Sequence, residues 1–125
     1  YFVWVARDAV SFEWFAELLA AVEASPVRGH FELMIYMTAG RSDATGDGLA
    51  LALDLVYARA GVDPLTGLRA RTHLGAPDWD ALFDGVRAGH PGATPEVFFC
   101  GPDGLGRAVA GAAARAQLPF RQEHF

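Results

Sequence analysis

The sequence predicts an α/β domain in which a mostly parallel sheet carries helices on its faces. Short runs rich in aromatic and β-branched residues alternate with segments whose apolar residues recur at helical spacing. That alternation is the pattern of strands joined by helical crossovers. The chain has 125 residues, 52% hydrophobic and 20% charged, which is enough apolar material for one packed domain over residues 1–125. No internal repeat, low-complexity tract or linker divides it.

Residues 1–6 are apolar and aromatic, as a buried strand requires. Ser11 offers an N-cap, and Phe12, Phe15, Leu18, Leu19 and Val22 then follow a helical period to about Glu23, where Ser25 and Pro26 end it. A second strand is expected over 31–38, a polar Gly-rich loop over 40–48 and a second helix over 49–60. After a loop at 61–67 broken by Pro64, residues 68–72 form a short strand. Asp78 caps a helix over 79–88 that His90, Pro91 and Gly92 stop. Residues 97–100 form a compact apolar strand, an Ala-rich helix runs from 103 to 116, and 119–125 are extended.

The net charge of -5 argues against a nucleic-acid partner, which calls for a basic face that releases counterions from phosphates. Cys100 is the only cysteine, so no internal disulfide can form. No apolar run reaches the roughly 20 residues of a membrane helix, so this segment is not expected to insert into a bilayer. The chain opens inside a strand, without Met or a signal peptide, and is expected to be a piece of a longer protein.

In open α/β sheets ligands bind beyond the carboxyl ends of the strands, which directs attention to four places. Arg7 and Asp8 follow the first strand, where a guanidinium can grip an anionic nucleotide group such as a 2′-phosphate; a surface ion pair or a capping role for Asp8 is the alternative. Thr38, Ala39, Gly40 and Arg41 follow the second strand and suit either a ligand or an ordinary turn. Cys100, Gly101 and Pro102 close a strand immediately before a helix N-terminus, whose free N–H groups can face a pyrophosphate or carboxamide. Otherwise Cys100 is a buried small hydrophobe. At the end of the chain, the Phe125 ring can lie against a flat ligand while Glu123 accepts from an amide, or the ring simply packs or frays.

The blocks WVARDAVSFEWF at 4–15, PDWD at 77–80, VFFCGP at 97–102 and QEHF at 122–125 resemble the NADPH oxidase family. The calcium-regulated branch fits best, since YMT at 36–38, LALDL at 51–55 and TGLRART at 66–72 match it too. The ordered set spans essentially the whole chain. The resemblance implies part of an NAD(P)H-binding domain with a Rossmann-like sheet of the ferredoxin–NADP reductase type, lacking its first strand and phosphate loop. It implies an enzyme on the cytoplasmic face of a membrane that passes electrons from NADPH through FAD and heme to oxygen, giving superoxide or hydrogen peroxide. The expected partners of this segment are NADPH and the enzyme's own flavin and membrane domains.

The same resemblance implies residue roles. Arg7 contacts the adenosine 2′-phosphate; Asp8 and Thr38 are cofactor-binding candidates by their place at the strand ends alone. Cys100 sits beside the nicotinamide, Gly101 and Pro102 shape its pocket, Glu123 binds the carboxamide, and Phe125 covers the flavin ring. Cys100 and Phe125 are therefore expected to converge. Such groups orient a hydride transfer while the cofactors carry the chemistry.

The sequence departs from the family where Gly75-Ala76-Pro77 replaces the usual Gly-Arg-Pro. The lost guanidinium leaves NADH possible beside NADPH, with Arg69 or Arg71 as substitutes. Without the phosphate-loop strand, the isolated chain is expected to be poorly stable and inactive, because two inner sheet edges would be bare. A ferric or cupric reductase with the same dehydrogenase half is an alternative, and a degenerate interaction domain is another. Asp43, Thr45, Asp47 and Asp54 imitate a calcium loop, but the last place is not Glu; the scattered histidines have no metal-ligand spacing, and no metal site is expected.

Overall fold

The computed structural model describes residues 1–39 and 44–123. The elements in order are β1 (Phe2–Ala6), α1 (Val10–Ala24), a 3₁₀ turn (Pro26–His30), β2 (Leu33–Met37), α2 (Ala44–Ala60), β3 (Thr72–Leu74), α3 (Trp79–Gly89), β4 (Val97–Cys100), α4 (Asp103–Arg115) and β5 (Phe120–Glu123). They form two compact units, Tyr1–Ala76 and Pro77–Phe125. Every described strand pairing is parallel, as the alternation of elements required.

In the first unit the strand order is β1-β2-β3. Trp4 lies opposite Ile35, and Ile35 opposite Thr72. Phe12 and Leu19 of α1 bury against Ile35, Met37 and Leu68, with Phe2, Trp4 and Phe15 packed around them. The Trp4 and Phe15 rings stack at 4.8 Å. Burial at this cluster removes several large apolar side chains from water, each worth roughly 1.5–3 kcal/mol.

Several sequence expectations change here. Ser11 does not cap α1; instead the Asp8 carboxylate accepts from the Ser11 N–H at 3.1 Å and its hydroxyl at 2.8 Å, satisfying first-turn donors from outside the helix. Leu18, read as part of the helical apolar set, is exposed, and so is Trp14, at 73%. Helix α2 begins at Ala44 rather than at residue 49, so residues 44–48 wind into the helix despite two glycines. Asp47 in its first turn complements the helix dipole. The short strand lies at Thr72–Leu74 instead of 68–72.

The reason for that shift is the Asp63 carboxylate, only 3% exposed. It accepts from the backbone N–H groups of Leu65 (3.1 Å), Thr66 (3.0 Å) and Thr72 (2.7 Å) and from both threonine hydroxyls (3.0 Å each). The Glu23 carboxylate similarly takes the Arg69 and Ala70 N–H groups at 2.8 Å each. Residues 63–70 are therefore held as a side-chain-stapled loop, and the ladder with β2 starts only at Thr72.

In the second unit β4 pairs with β5, and α3 and α4 cover one face. Phe83, Val109, Ala112, Ala113, Ala116 and Leu118 form the core; the small alanines let α4 approach closely. Asp78 caps α3 by accepting from the Ala81 N–H at 3.0 Å, as its position in the sequence suggested. Arg115 grips Asp80 through Nε at 2.8 Å and Nη2 at 3.0 Å, and Arg87 donates to the Ala116 carbonyl at 2.7 Å, tying the two helices together. Helix α4 closes with the Leu118 N–H on the Ala113 carbonyl and the Gln117 N–H on that of Ala114, with Gln117 at φ 57. That is a Schellman ending with glutamine where glycine is usual.

Candidate functional site

Because each sheet is parallel, its strands end at one edge, and the described residues among those singled out above lie along those edges. In the first unit β1 delivers Arg7 and Asp8, β2 delivers Thr38, and β3 delivers Gly75 and Ala76. The Thr38 N–H donates to the Ala6 carbonyl at 2.9 Å and the Ala39 N–H to that of Arg7 at 2.7 Å, which locks the first two loops side by side. The Thr38 hydroxyl also turns back to the Ala6 carbonyl at 3.3 Å. The Gly75 N–H continues the ladder onto Met37 at 2.8 Å, leaving Ala76 exposed just past it.

The charges at this edge are divided between structure and solvent. Asp8 is committed to α1, and its hydrogen bonds from the Ser11 hydroxyl and N–H hold its carboxyl below the usual value, with a smaller contribution from Arg7. The Arg7 side chain is exposed, and no described carboxylate forms an ion pair with it. Arg71, by contrast, is paired with Asp54 and lies over the Tyr57 ring at 5.9 Å. Gly40 and Arg41 lie outside the described residues.

In the second unit Cys100 ends β4 and Glu123 ends β5, and the two are register partners. Exposure alternates along both strands, so Phe98, Cys100, Arg121 and Glu123 share the exposed face while Phe99 and Gln122 turn inward. Cys100 is thus an exposed thiol, which removes the reading of it as a buried small hydrophobe. Pro102 is the N-cap of α4 and supplies no side-chain cap, so the helix begins at this edge without a capping oxygen from its N-cap residue. A Cβ on Gly101 would stand 3.0 Å from the Phe99 ring, so the glycine is needed by its own strand as well as by any ligand. His124 and Phe125 lie outside the described residues, and with them the expected convergence of Phe125 on Cys100.

Sequence reasoning missed a cleft of about 250 Å³ between α2 and β3, lined by Asp47, Asp54, Arg71 and His73 among others. His73 stacks on Tyr36 at 5.1 Å, and burial and then the Arg71 charge push its imidazole below the ordinary value, with Asp54 and Asp63 opposing. Its residues come from α2 and β3, far apart in the chain, so no local signal could have joined them. Among the described residues no group of His, Cys, Asp or Glu is arranged to hold a metal ion. None of their helices is long and apolar enough to cross a membrane.

A family model described as the ferric reductase NAD-binding domain matches residues 1–114. The chain belongs to that family. Among curated relatives of this family member, human NADPH oxidase 5 is 40% identical over 99% of the chain. Respiratory burst oxidase homolog protein E of Arabidopsis thaliana is 32% identical over 100% of it, and NADPH oxidase 3 of Rattus norvegicus 35% identical over 87%. The chain spans 17%, 14% and 19% of the length of these three relatives. The ferric reductase NAD-binding family thus accounts for the α/β architecture and the parallel strands.

Proposed function

We propose that this chain binds NADPH within a flavin-dependent NADPH oxidase and positions the nicotinamide for hydride transfer to FAD. Electrons then pass through heme to oxygen, giving superoxide or hydrogen peroxide. The membership in an NAD-binding family, with relatives named NADPH oxidases, supports the enzyme class. The observation that carries the site is the register partnership of Cys100 and Glu123 on an exposed carboxyl edge, beside a helix N-terminus without a side-chain cap.

When bound, NADPH supplies the hydride and the flavin accepts it. The protein's part is orientation. Arg7, exposed and without a described ion-pair partner, takes the adenosine 2′-phosphate, with Thr38 and Asp8 shaping the loops around it. Glu123 accepts from the carboxamide N–H, Cys100 lies against the nicotinamide, and Gly101 and Pro102 let the ring approach the edge. Phe125 covers the flavin. The segment works at the cytoplasmic face of a membrane, alongside the flavin and heme domains of the same enzyme. The description of the family as a ferric reductase domain favours a second reading, in which a ferric or cupric chelate is the final acceptor.

The test is anaerobic mixing of the complete, flavin-loaded enzyme with NADPH, followed by oxygen or a ferric chelate. Flavin bleaching followed by oxygen-dependent superoxide formation is expected. Bleaching with electrons delivered only to the chelate would move the assignment to the reductase, and no bleaching at all would remove the hydride-transfer reading.

A further inference from the structure

We propose that Gln122 is a positioning residue that fixes the Cys100–Glu123 edge against the N-terminus of α4. This deepens, and rests on, the hydride-transfer reading above. Gln122 lies between Arg121 and Glu123 on β5, in register with Phe99, and turns to the inner face. Its side-chain amide donates to the Asp103 carboxylate, the first residue of α4, at 3.2 Å. One turn on, α4 presents Gly106, where a Cβ would stand 2.8 Å from Gln122 Oε1 and 3.0 Å from the Phe99 ring.

The helix therefore rests on the Gln122 amide at two points. Asp103 receives its N–H, and Gly106, lacking a Cβ, leaves room for its Oε1. The neighbouring residue, Glu123, points to the opposite face, where its register partner is Cys100. A displacement of Gln122 is transmitted through one peptide bond to Glu123 and, through the hydrogen bond to Asp103, to the first turn of α4. The side chain must also be neutral. A carboxylate in the same place would face Asp103, exchanging a charge-assisted hydrogen bond for like-charge repulsion.

The experiment uses the complete, flavin-loaded enzyme with NADPH as the probe, and reads the rate of flavin reduction at saturation separately from the NADPH KM. Gln122→Glu, which changes only one atom of the side chain, is expected to lower the saturated rate about tenfold at neutral pH, with KM changed less than about twofold. The double variant Asp103→Asn/Gln122→Glu exchanges donor and acceptor and is expected to recover most of the rate. Gly106→Ala, which strengthens helix propensity while crowding the amide, is expected to show the same rate-selective loss. Unchanged rates in Gln122→Glu, no recovery in the double variant, or a loss confined to KM would each overturn the role of Gln122. In those cases the wild-type enzyme still bleaches its flavin with NADPH; if it does not, the hydride-transfer reading falls first and takes this inference with it.

Discussion

Glu123 is the register partner of Cys100, and the side chains of both lie on the exposed face of the β4–β5 pair. In a parallel pair that places them side by side, each at the last residue of its strand, so a flat ligand laid on that edge meets thiol and carboxylate together. Glu123→Gln is expected to weaken NADPH binding by roughly tenfold, since a hydrogen bond to a charged acceptor is worth about 1.5–3 kcal/mol. Titration of the complete enzyme with NADPH checks this, and alkylation of Cys100 should slow when NADPH is present. An alkylation rate indifferent to NADPH would take Cys100 out of the site.

Arg7, proposed above to take the 2′-phosphate, and Ala76 lie just past the ends of β1 and β3 in the first unit's sheet. Arg7→Ala is expected to cut the preference for NADPH over NADH by about tenfold or more while leaving NADH kinetics in place, because only the 2′-phosphate distinguishes the two. Ala76→Arg, at an exposed position just beyond β3, is expected to raise that preference. Measuring kcat/KM for both nucleotides in each variant decides the matter; equal losses for NADPH and NADH would mean that Arg7 serves the fold instead.

The buried Asp63 carboxylate accepts five hydrogen bonds from Leu65, Thr66 and Thr72. Its removal in Asp63→Ala leaves the Thr72 N–H and hydroxyl, among others, without their acceptor. A loss of about 3 kcal/mol is expected in denaturant unfolding, against about 1 kcal/mol for Thr72→Val, which deletes one of those donors. Equal effects would mean that the loop is held elsewhere.

Gln117 holds a left-handed backbone that suits glycine, at φ 57. Gln117→Gly is expected to stabilise the chain by about 1 kcal/mol, after the greater entropy of the unfolded glycine has been offset. A lower Tm in this variant would show that the Gln117 side chain makes a compensating contribution.

His73 predicts an acid limb in stability. Its folded-state pKa lies below the ordinary value of 6.5, first through burial and then through Arg71, so the unfolded chain takes up the proton more readily. Stability is therefore fully present above about 6.5 and is lost as pH falls through the folded-state value. Asp8 and Asp80 are also held below their ordinary value of 3.8, so their contributions vanish only in a separate, more acidic range. Urea midpoints followed from neutral pH down to about 5 should fall in the parent and flatten in His73→Phe. A parent curve that is already flat would exclude His73 as the cause.

Much of the candidate site was legible because it depends on where strands stop. The apolar run that ends at Cys100 and the Gly101-Pro102 break behind it announce a strand end before a helix, and Arg7 follows β1 for the same reason. The Asp78 cap was readable from three residues of local spacing. Asp63 was not read as a staple, although an Asp-Pro followed by Thr-Gly is a turn signal whose carboxylate has to go somewhere. Ser11 was misjudged as a cap because its hydroxyl is spent on Asp8, three residues earlier.

By itself, the sequence determined the alternation of strands and helices, their parallel sense and the residues that close β1 and β4. These follow from local periodicity, backbone preference and the length of the crossovers. Only the tertiary structure decided that Glu123 stands beside Cys100, that Gln122 reaches Asp103, that Asp63 sets the start of β3 and that Trp14 faces outward. Those facts depend on register and close packing between residues distant along the chain, and a one-residue slip in a strand would reverse every face without altering any local pattern.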